Sequence, residues 1–296
     1  MVMLLNALIL NTVLSLVILQ PNNASQGNES ADAKIQAGQS IMENVFDRFH
    51  INYEMSRTHK IGYYKESMSD TQSIYYLADG IVDIYIPSNL NQVENASISP
   101  IKTRKKAFKE IKEENLLFGN ASDMARSSIW RPNSFLSEKN RDDYVFSYSG
   151  DSILNELEVS IVTFEPSKSN GLATGKIYVD KSSFAILKID YRPIVHHSKF
   201  WSTVSWTEEF QFKKGAYELC NVRFHGVSIE NNFQYDAILV MDQLEVLSRL
   251  PQDSTFIKEN VSLFEKADDE FSDSFWEGYD YLKRYLNSEP QWLSKN

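Results

Sequence analysis

Apolar and polar residues alternate with a period of two along most of this chain, and such alternation predicts strands. It is clearest between Tyr144 and Tyr191. In Leu157–Phe164, Leu157, Val159 and Ile161 share one face, with Glu158 and Ser160 on the other. In Gly175–Asp180, Ile177 and Val179 oppose Lys176, Tyr178 and Asp180; in Phe184–Tyr191, Leu187, Ile189 and Tyr191 oppose Lys188 and Asp190. One apolar face per strand marks antiparallel pairing. Asp180-Lys181-Ser182-Ser183 suits a hairpin connection, because Asp and Ser side chains bond nearby backbone N–H groups. Three longer runs follow: Phe200–Phe212, Tyr217–Ile229 and Phe233–Val246. Lys213-Lys214-Gly215 and Glu230-Asn231-Asn232 join them as turns, so a meander of about six strands is expected from Leu157 onward.

Upstream the period changes. Ala37, Ile41, Val45 and Phe49 recur every four residues, with Met42 and Phe46 beside them, and Ser30 or Asp32 can cap a helix running to about His50. Strands are expected at Lys60–Ser67 and Ser73–Ile86, with Asp79-Gly80 a candidate interruption, and a loop at Ser88–Pro100. Lys102–Lys112 is the only basic run. Helical spacing would pair Lys106 with Glu110 and Lys109 with Glu113. It reads as a solvated surface segment; contact with anionic lipid head groups is the alternative. Asn115–Asn133 reads as a connector with a short helix, and Phe135-Leu136 and Tyr144–Tyr148 lead into the meander. Near the end, Ser272 or Asp273 can cap a helix whose apolar stripe is Phe275, Tyr279, Leu282 and Leu286, with Trp276 alongside.

Composition narrows the classes. A chain of 296 residues can bury a substantial core, and 12% aromatic content argues against disorder. The net charge of −10 makes nucleic acid a poor partner. One cysteine, Cys220, excludes an internal disulfide and a Cys-rich zinc site. Val2–Leu19 is mostly Leu, Val and Ile, interrupted by Asn6, Asn11, Thr12 and Ser15 and followed by small polar residues. That pattern predicts a signal peptide over residues 1–25, cleaved near Ala24 or Ser25, with an uncleaved anchor as the alternative, and a single exported domain over 26–296.

Candidate chemistry is sparse. His196-His197 is the only histidine pair, and Asp190, Asp180 or His225 could approach it in space, but no metal-ligand spacing supports a site. No Gly-x-Ser-x-Gly elbow is present, Ser149-Gly150 opens no strand-to-helix turn, and no glycine-rich phosphate loop occurs. Cys220 reads as a packed thiol. The carboxylate pairs Glu208-Glu209 and Asp142-Asp143 are adjacent rather than set across a cleft, and Asp268, Asp269, Glu270 and Asp273 lack calcium-loop spacing. Asn23, Asn28, Asn95, Asn120 and Asn260 each begin an Asn-x-Ser sequon. No catalytic, metal or cofactor residues are therefore assigned. Trp201, Trp206, Phe210, Phe212, Phe224, Phe233 and Tyr235 remain as strand aromatics that either line an apolar pocket or pack under the two terminal helices.

Short motifs carry a resemblance. Asn52-Tyr53, Tyr63-Tyr64-Lys65-Glu66, Ile81–Tyr85, Lys102–Lys106, Tyr144–Tyr148, Phe164-Glu165-Pro166, Gly175–Asp180 with Ala185-Ile186, and Phe275-Trp276-Glu277-Gly278-Tyr279 resemble exported Bacteroidetes proteins labelled carboxypeptidase-like regulatory domain-containing. The match lies in the segment that follows their small β-sandwich. The sandwich itself has no counterpart here, so no peptidase activity carries over. The Gly175–Asp180 arrangement also resembles the sheet of lipoprotein carriers of the LolA/LolB type. That likeness implies an α+β fold, a strongly curved antiparallel half-barrel packed on an N-terminal and a C-terminal helix. It also implies a non-enzymatic protein of the periplasm or outer membrane, peripherally associated, that binds a lipid, a lipoprotein acyl chain or an envelope partner. A structural or assembly protein without a cavity is the alternative, and a periplasmic hydrolase using His196, His197 or His225 the less favoured one.

Overall fold

A computed structural model of the chain describes residues 30–89, 96–110, 121–168, 172–195, 198, 200–229, 232–246, 263–268 and 273–283. The predicted signal peptide, His196-His197 and the asparagines of all five sequons lie outside these residues.

The protein is mostly β: one open antiparallel sheet of ten strands. The strands are β1 (Thr58–Ser69), β2 (Ile74–Ile86), β3 (Ser97–Ala107), β4 (Tyr144–Leu154), β5 (Leu157–Pro166), β6 (Ala173–Asp180), β7 (Ile186–Pro193), β8 (Trp201–Lys213), β9 (Ala216–Ser228) and β10 (Gln234–Val246). Their spatial order is β3-β2-β1-β10-β9-β8-β7-β6-β5-β4. The expected meander from Leu157 is present as β5 to β10. The half-barrel is not: the sheet is neither closed nor strongly curled, and β3 and β4, consecutive in sequence, form its two opposite edges.

Directly paired residues form a row across the inner face: Phe146, Phe164, Gly175, Tyr191, Trp206, Phe224, Ala237, Glu66 and Ala78. Tyr191 stacks on Trp206 at 6.1 Å, and Trp206 meets Phe224 edge-on at 5.1 Å. The neighbouring row runs Val162, Ile177, Ile189, Glu208, Val222, Leu239 and Tyr64. Both rows are aromatic and aliphatic except for one glutamate each.

Three segments cover this face. Helix α1 (Ala31–Asp47), capped by Ser30 Oγ, which accepts from Ala33 N–H at 3.2 Å, packs on β4. Gly38 makes that packing close, since a Cβ there would lie 2.6 Å from the Phe146 carbonyl oxygen. Such cover also shields an edge strand from pairing with another chain. A second turn, α2 (Phe49–Asn52), follows. The crossover between the edge strands β3 and β4, described over residues 121–143, is the second cover. It includes α3 (Ala121–Met124) and buries Met124, Ile129, Trp130, Phe135 and Leu136, with Phe135 stacked 4.0 Å from Phe164. The third cover, α4 (Leu263–Lys266), lies on β2 and β3.

Three expectations need correction. The basic run is not helical: it is strand β3 through Ala107, and Ser97–Pro100 belongs to that strand rather than to a loop. Its cations are not simply solvated. Arg104 makes two bonds to Asp79, at 2.7 and 2.9 Å, and lies 4.0 Å over the Phe275 ring; Lys102 lies over Tyr279 and Lys105 over Phe264. Strand β2 runs unbroken through Asp79-Gly80. The C-terminal helix is replaced, over 273–283, by single 3-10 turns. Gly278 at φ 83° interrupts the helical path there. Phe275 and Leu282 are nonetheless buried, against Tyr63 and Ile81 on the outer face.

Candidate functional site

The sheet is unevenly knitted at the end where β8 turns into β9. Pairing between β9 and β10 stops at Asn221↔Val240, although both strands continue; pairing between β7 and β8 is confined to Lys188–Tyr191 against Trp206–Glu209. Backbone groups released where strands part must find other partners if buried. Two side chains supply them. Lys60 Nζ donates to the Leu219 carbonyl at 2.9 Å and pairs with Glu218 Oε2 at 3.3 Å. The Tyr53 hydroxyl accepts from Ile186 N–H at 2.6 Å and donates to the Ile186 carbonyl at 3.1 Å, replacing a neighbouring strand. Burial pushes the Lys60 pKa down, against the pull of Glu218, and pushes that of Tyr53 up.

A partly open cleft of about 50 Å³ occupies the gap. Tyr53, Trp130, Phe210 and Ile86 form its apolar walls, while Lys60, Arg126, Glu54 and Glu218 supply two cations and two carboxylates. An aromatic series leads inward: Phe212, 63% exposed, contacts Tyr217 at 5.1 Å, Tyr217 contacts Tyr53 at 6.3 Å, and Tyr53 contacts both Phe210 and Trp130. Glu218 Oε1 is buried with no hydrogen-bond partner among the described residues.

The two inner-face glutamates anchor the covering segments. Glu208 accepts from Ser127 Oγ (3.0 Å), Ser128 N–H (2.9 Å), Ser128 Oγ (2.5 Å) and the Tyr191 hydroxyl (3.2 Å), fixing the crossover to β8. Arg131 adds a cation over Trp206 at 5.0 Å and donates to the Asp123 carbonyl. Glu66 accepts from the Tyr64 and Tyr235 hydroxyls and from Phe264 N–H at 2.8 Å, fixing α4; burial raises its pKa.

Of the residues singled out in the sequence, Phe210, Phe224 and Tyr235 join the core of the inner face, with half-buried Trp201 and Trp206 packed against it; Phe212 is exposed and Phe233 meets Tyr75. Trp206 packs under Arg131 of the crossover and Phe210 against Tyr53, while α1 lies on β4 and β5 and the C-terminal segment on the other face. Glu208 and Glu209, being adjacent, point to opposite faces, and Glu209 accepts from Asn221. Asp143 holds Lys168, Asp180 accepts from Ser182 and Ser183 in its hairpin, and Asp190 accepts from Thr207 at 2.7 Å. Cys220 is buried and its thiol is pushed up to about 12 by burial, which suits packing and not nucleophilic chemistry.

His225 does meet a carboxylate: its Nδ1 is 2.7 Å from Asp236 Oδ1, and Ser205 is its cross-strand neighbour. The three lie mid-strand and outside the cleft, where the ladder engages the backbone N–H groups that an oxyanion site would need. Among the described residues no group of three His, Cys, Asp or Glu side chains converges to hold a metal.

Several solved structures are similar to this chain. A DUF1329 family protein from Desulfovibrio piger aligns with a TM-score of 0.35 at 11% identity over 74% of this chain and 95% of its own. A putative outer membrane lipoprotein-sorting protein domain from Vibrio parahaemolyticus gives 0.34 at 11%, over 74% and 95%; a LolA superfamily protein from Nitrosomonas europaea gives 0.32 at 10%, over 75% and 97%. At such scores the fold rests on this chain's own pairing, and no function is carried across. No protein-family model matches the sequence, so the Bacteroidetes resemblance rests on its motifs alone. No curated protein matches it either.

Proposed function

We propose that this chain is a non-enzymatic, exported protein of the cell envelope that binds a hydrophobic ligand, a lipid or a lipoprotein acyl chain. The apolar run before Pro21 supports export. The cleft carries the ligand reading: it is lined by aromatic side chains, reached along an exposed aromatic series, and closed at its inner end by a buried ion pair. Its volume takes one end of an amphiphile, with the remainder lying along Phe212 and Tyr217. A longer chain would enter only by displacing the crossover, which serine side chains and one glutamate hold, not a regular ladder.

A second reading, a partner-binding protein with no ligand, is favoured by a different observation. Leu172, Ile194, Phe200 and Ile229 are 53%, 38%, 70% and 49% exposed at the ends of four consecutive strands. Backbone bonds link Ile194 to Leu172 and Ile229 to Phe200, so these residues are grouped along one rim of the sheet. Exposed apolar residues grouped on one rim in this way mark an interaction site.

Native mass spectrometry of the mature chain from membrane-containing extract, before and after organic extraction, separates the readings. A mass excess that extraction removes, identified as lipid, is the expected result. A clean apo mass would move the function to the rim. There, replacing Phe200 and Ile229 by Ser should then abolish partner recovery without lowering the melting temperature.

A further inference from the structure

We infer that the cleft selects a neutral, hydroxyl-bearing head group, and that the Lys60–Glu218 pair is the selecting element; this rests on the ligand reading above. A lysine ammonium has three N–H donors. Two are accounted for by the Leu219 carbonyl and Glu218 Oε2, leaving the third without a protein acceptor among the described residues. Beside it, Glu218 Oε1 is a buried acceptor with no donor. One leftover donor next to one leftover acceptor is complementary to a group that both accepts and donates. A hydroxyl does this with a single oxygen, accepting from Lys60 and giving its proton's hydrogen bond to Glu218.

Charge points the same way. Lys60 and Arg126 are balanced by Glu54 and Glu218 among the lining residues, so the lining carries no net formal charge to favour an ion. A carboxylate or phosphate head would gain Lys60 but face Glu218, and would leave Oε1 unsatisfied, which is costly for a buried group. An ammonium head would meet the converse at Lys60. Size also fits: a water needs roughly 10–15 Å³ on this measure, so about 50 Å³ admits three or four non-hydrogen atoms. That is a glycerol end rather than a sugar ring. The apolar part then leaves past Phe210 and Tyr217 towards exposed Phe212.

The test titrates the mature full chain with 1-octanoylglycerol and, separately, with octanoate, which share a tail and differ in the head. Binding is read by calorimetry and by emission of the tryptophans, of which Trp130 lines the cleft. We expect octanoylglycerol to bind at least ten-fold more tightly, and the preference to vanish in the double variant Lys60→Met/Glu218→Leu. That variant removes both charges together, so neither is left buried alone and the fold is retained; its melting curve checks this. Equal or tighter octanoate binding overturns the head-group inference while leaving the ligand reading intact. Binding of neither probe by a chain that carries extractable lipid also overturns it, the cleft then holding water only. Binding of neither by a chain that is clean by native mass spectrometry removes both.

Discussion

Glu66 and Glu208 are fully buried on a face otherwise built of aromatic and aliphatic side chains, and each receives donors from a segment that covers the sheet. Their value lies in what removal would strand. Glu208→Ala orphans two serine hydroxyls, one backbone N–H and the Tyr191 hydroxyl, and should cost on the order of 3 kcal/mol in urea denaturation. His225 supplies a pH-dependent counterpart. Its hydrogen bond with Asp236 raises its pKa, so the native state holds the proton more tightly than the unfolded chain. The contribution is complete below the ordinary imidazole value of about 6.5 and fades as pH rises through the elevated native one. The stability difference between wild type and Asp236→Asn should therefore shrink as pH rises from about 6.5 through the elevated native value. Urea midpoints across that range would check it; a constant difference would assign the bond no linkage.

At the scale of elements, strands were legible wherever one face is apolar and the other polar, which is why β5 to β10 stand in the sequence close to their observed limits. Strand β3 was hidden because its Lys102–Lys106 half is polar on both faces, and Ile98 is its one fully buried apolar residue. Its cations rest on rings from Phe264, Phe275 and Tyr279, far along the chain, and nothing local reports that. The cleft was illegible for a related reason: Tyr53 and Lys60, Trp130, and Glu218 come from three separate stretches of chain, and periodicity does not show where a ladder ends. One signal was present. Lys60, Glu66 and Glu208 interrupt the inward apolar register, and charged residues there need specific partners. Lys60→Met alone leaves Glu218 buried and the Leu219 carbonyl unpaired, so it should cost about 3–5 kcal/mol, most of it regained on adding Glu218→Leu. A double-mutant cycle of denaturation free energies measures this. Gly38→Val tests the helix-on-strand contact, where overpacking against the Phe146 carbonyl should cost about 2 kcal/mol and lower the melting temperature.

Taken as a whole, the molecule is one sheet with two unlike faces. The inner face is closed by α1, the crossover and α4; the outer face is covered at the β1–β3 end by the aromatic C-terminal turns, while further along it carries Arg223, Thr207, Asp190 and Lys176. The crossover is the part of this assembly with least regular structure, and its removal uncovers the aromatic row. In hydrogen exchange, Glu208→Ala should strip protection from residues 121–137 while β5, β6 and β10 keep theirs. Uniform loss over the sheet would mean that the crossover opens only with global unfolding.

The pairing of β1 with β10 sets the order in which the protein can be made. Tyr64 lies beside Leu239, so the first hairpin of an emerging chain must wait, unpartnered on one side, for nearly all the rest. Pairings so remote in sequence are slow to form. Until they do, β4 to β10 constitute a complete meander whose last strand ends in a bare edge and whose aromatic row lacks part of its cover. That intermediate is the most aggregation-prone species on the route, and it exists because β1, first of the strands in sequence, pairs with β10, the last.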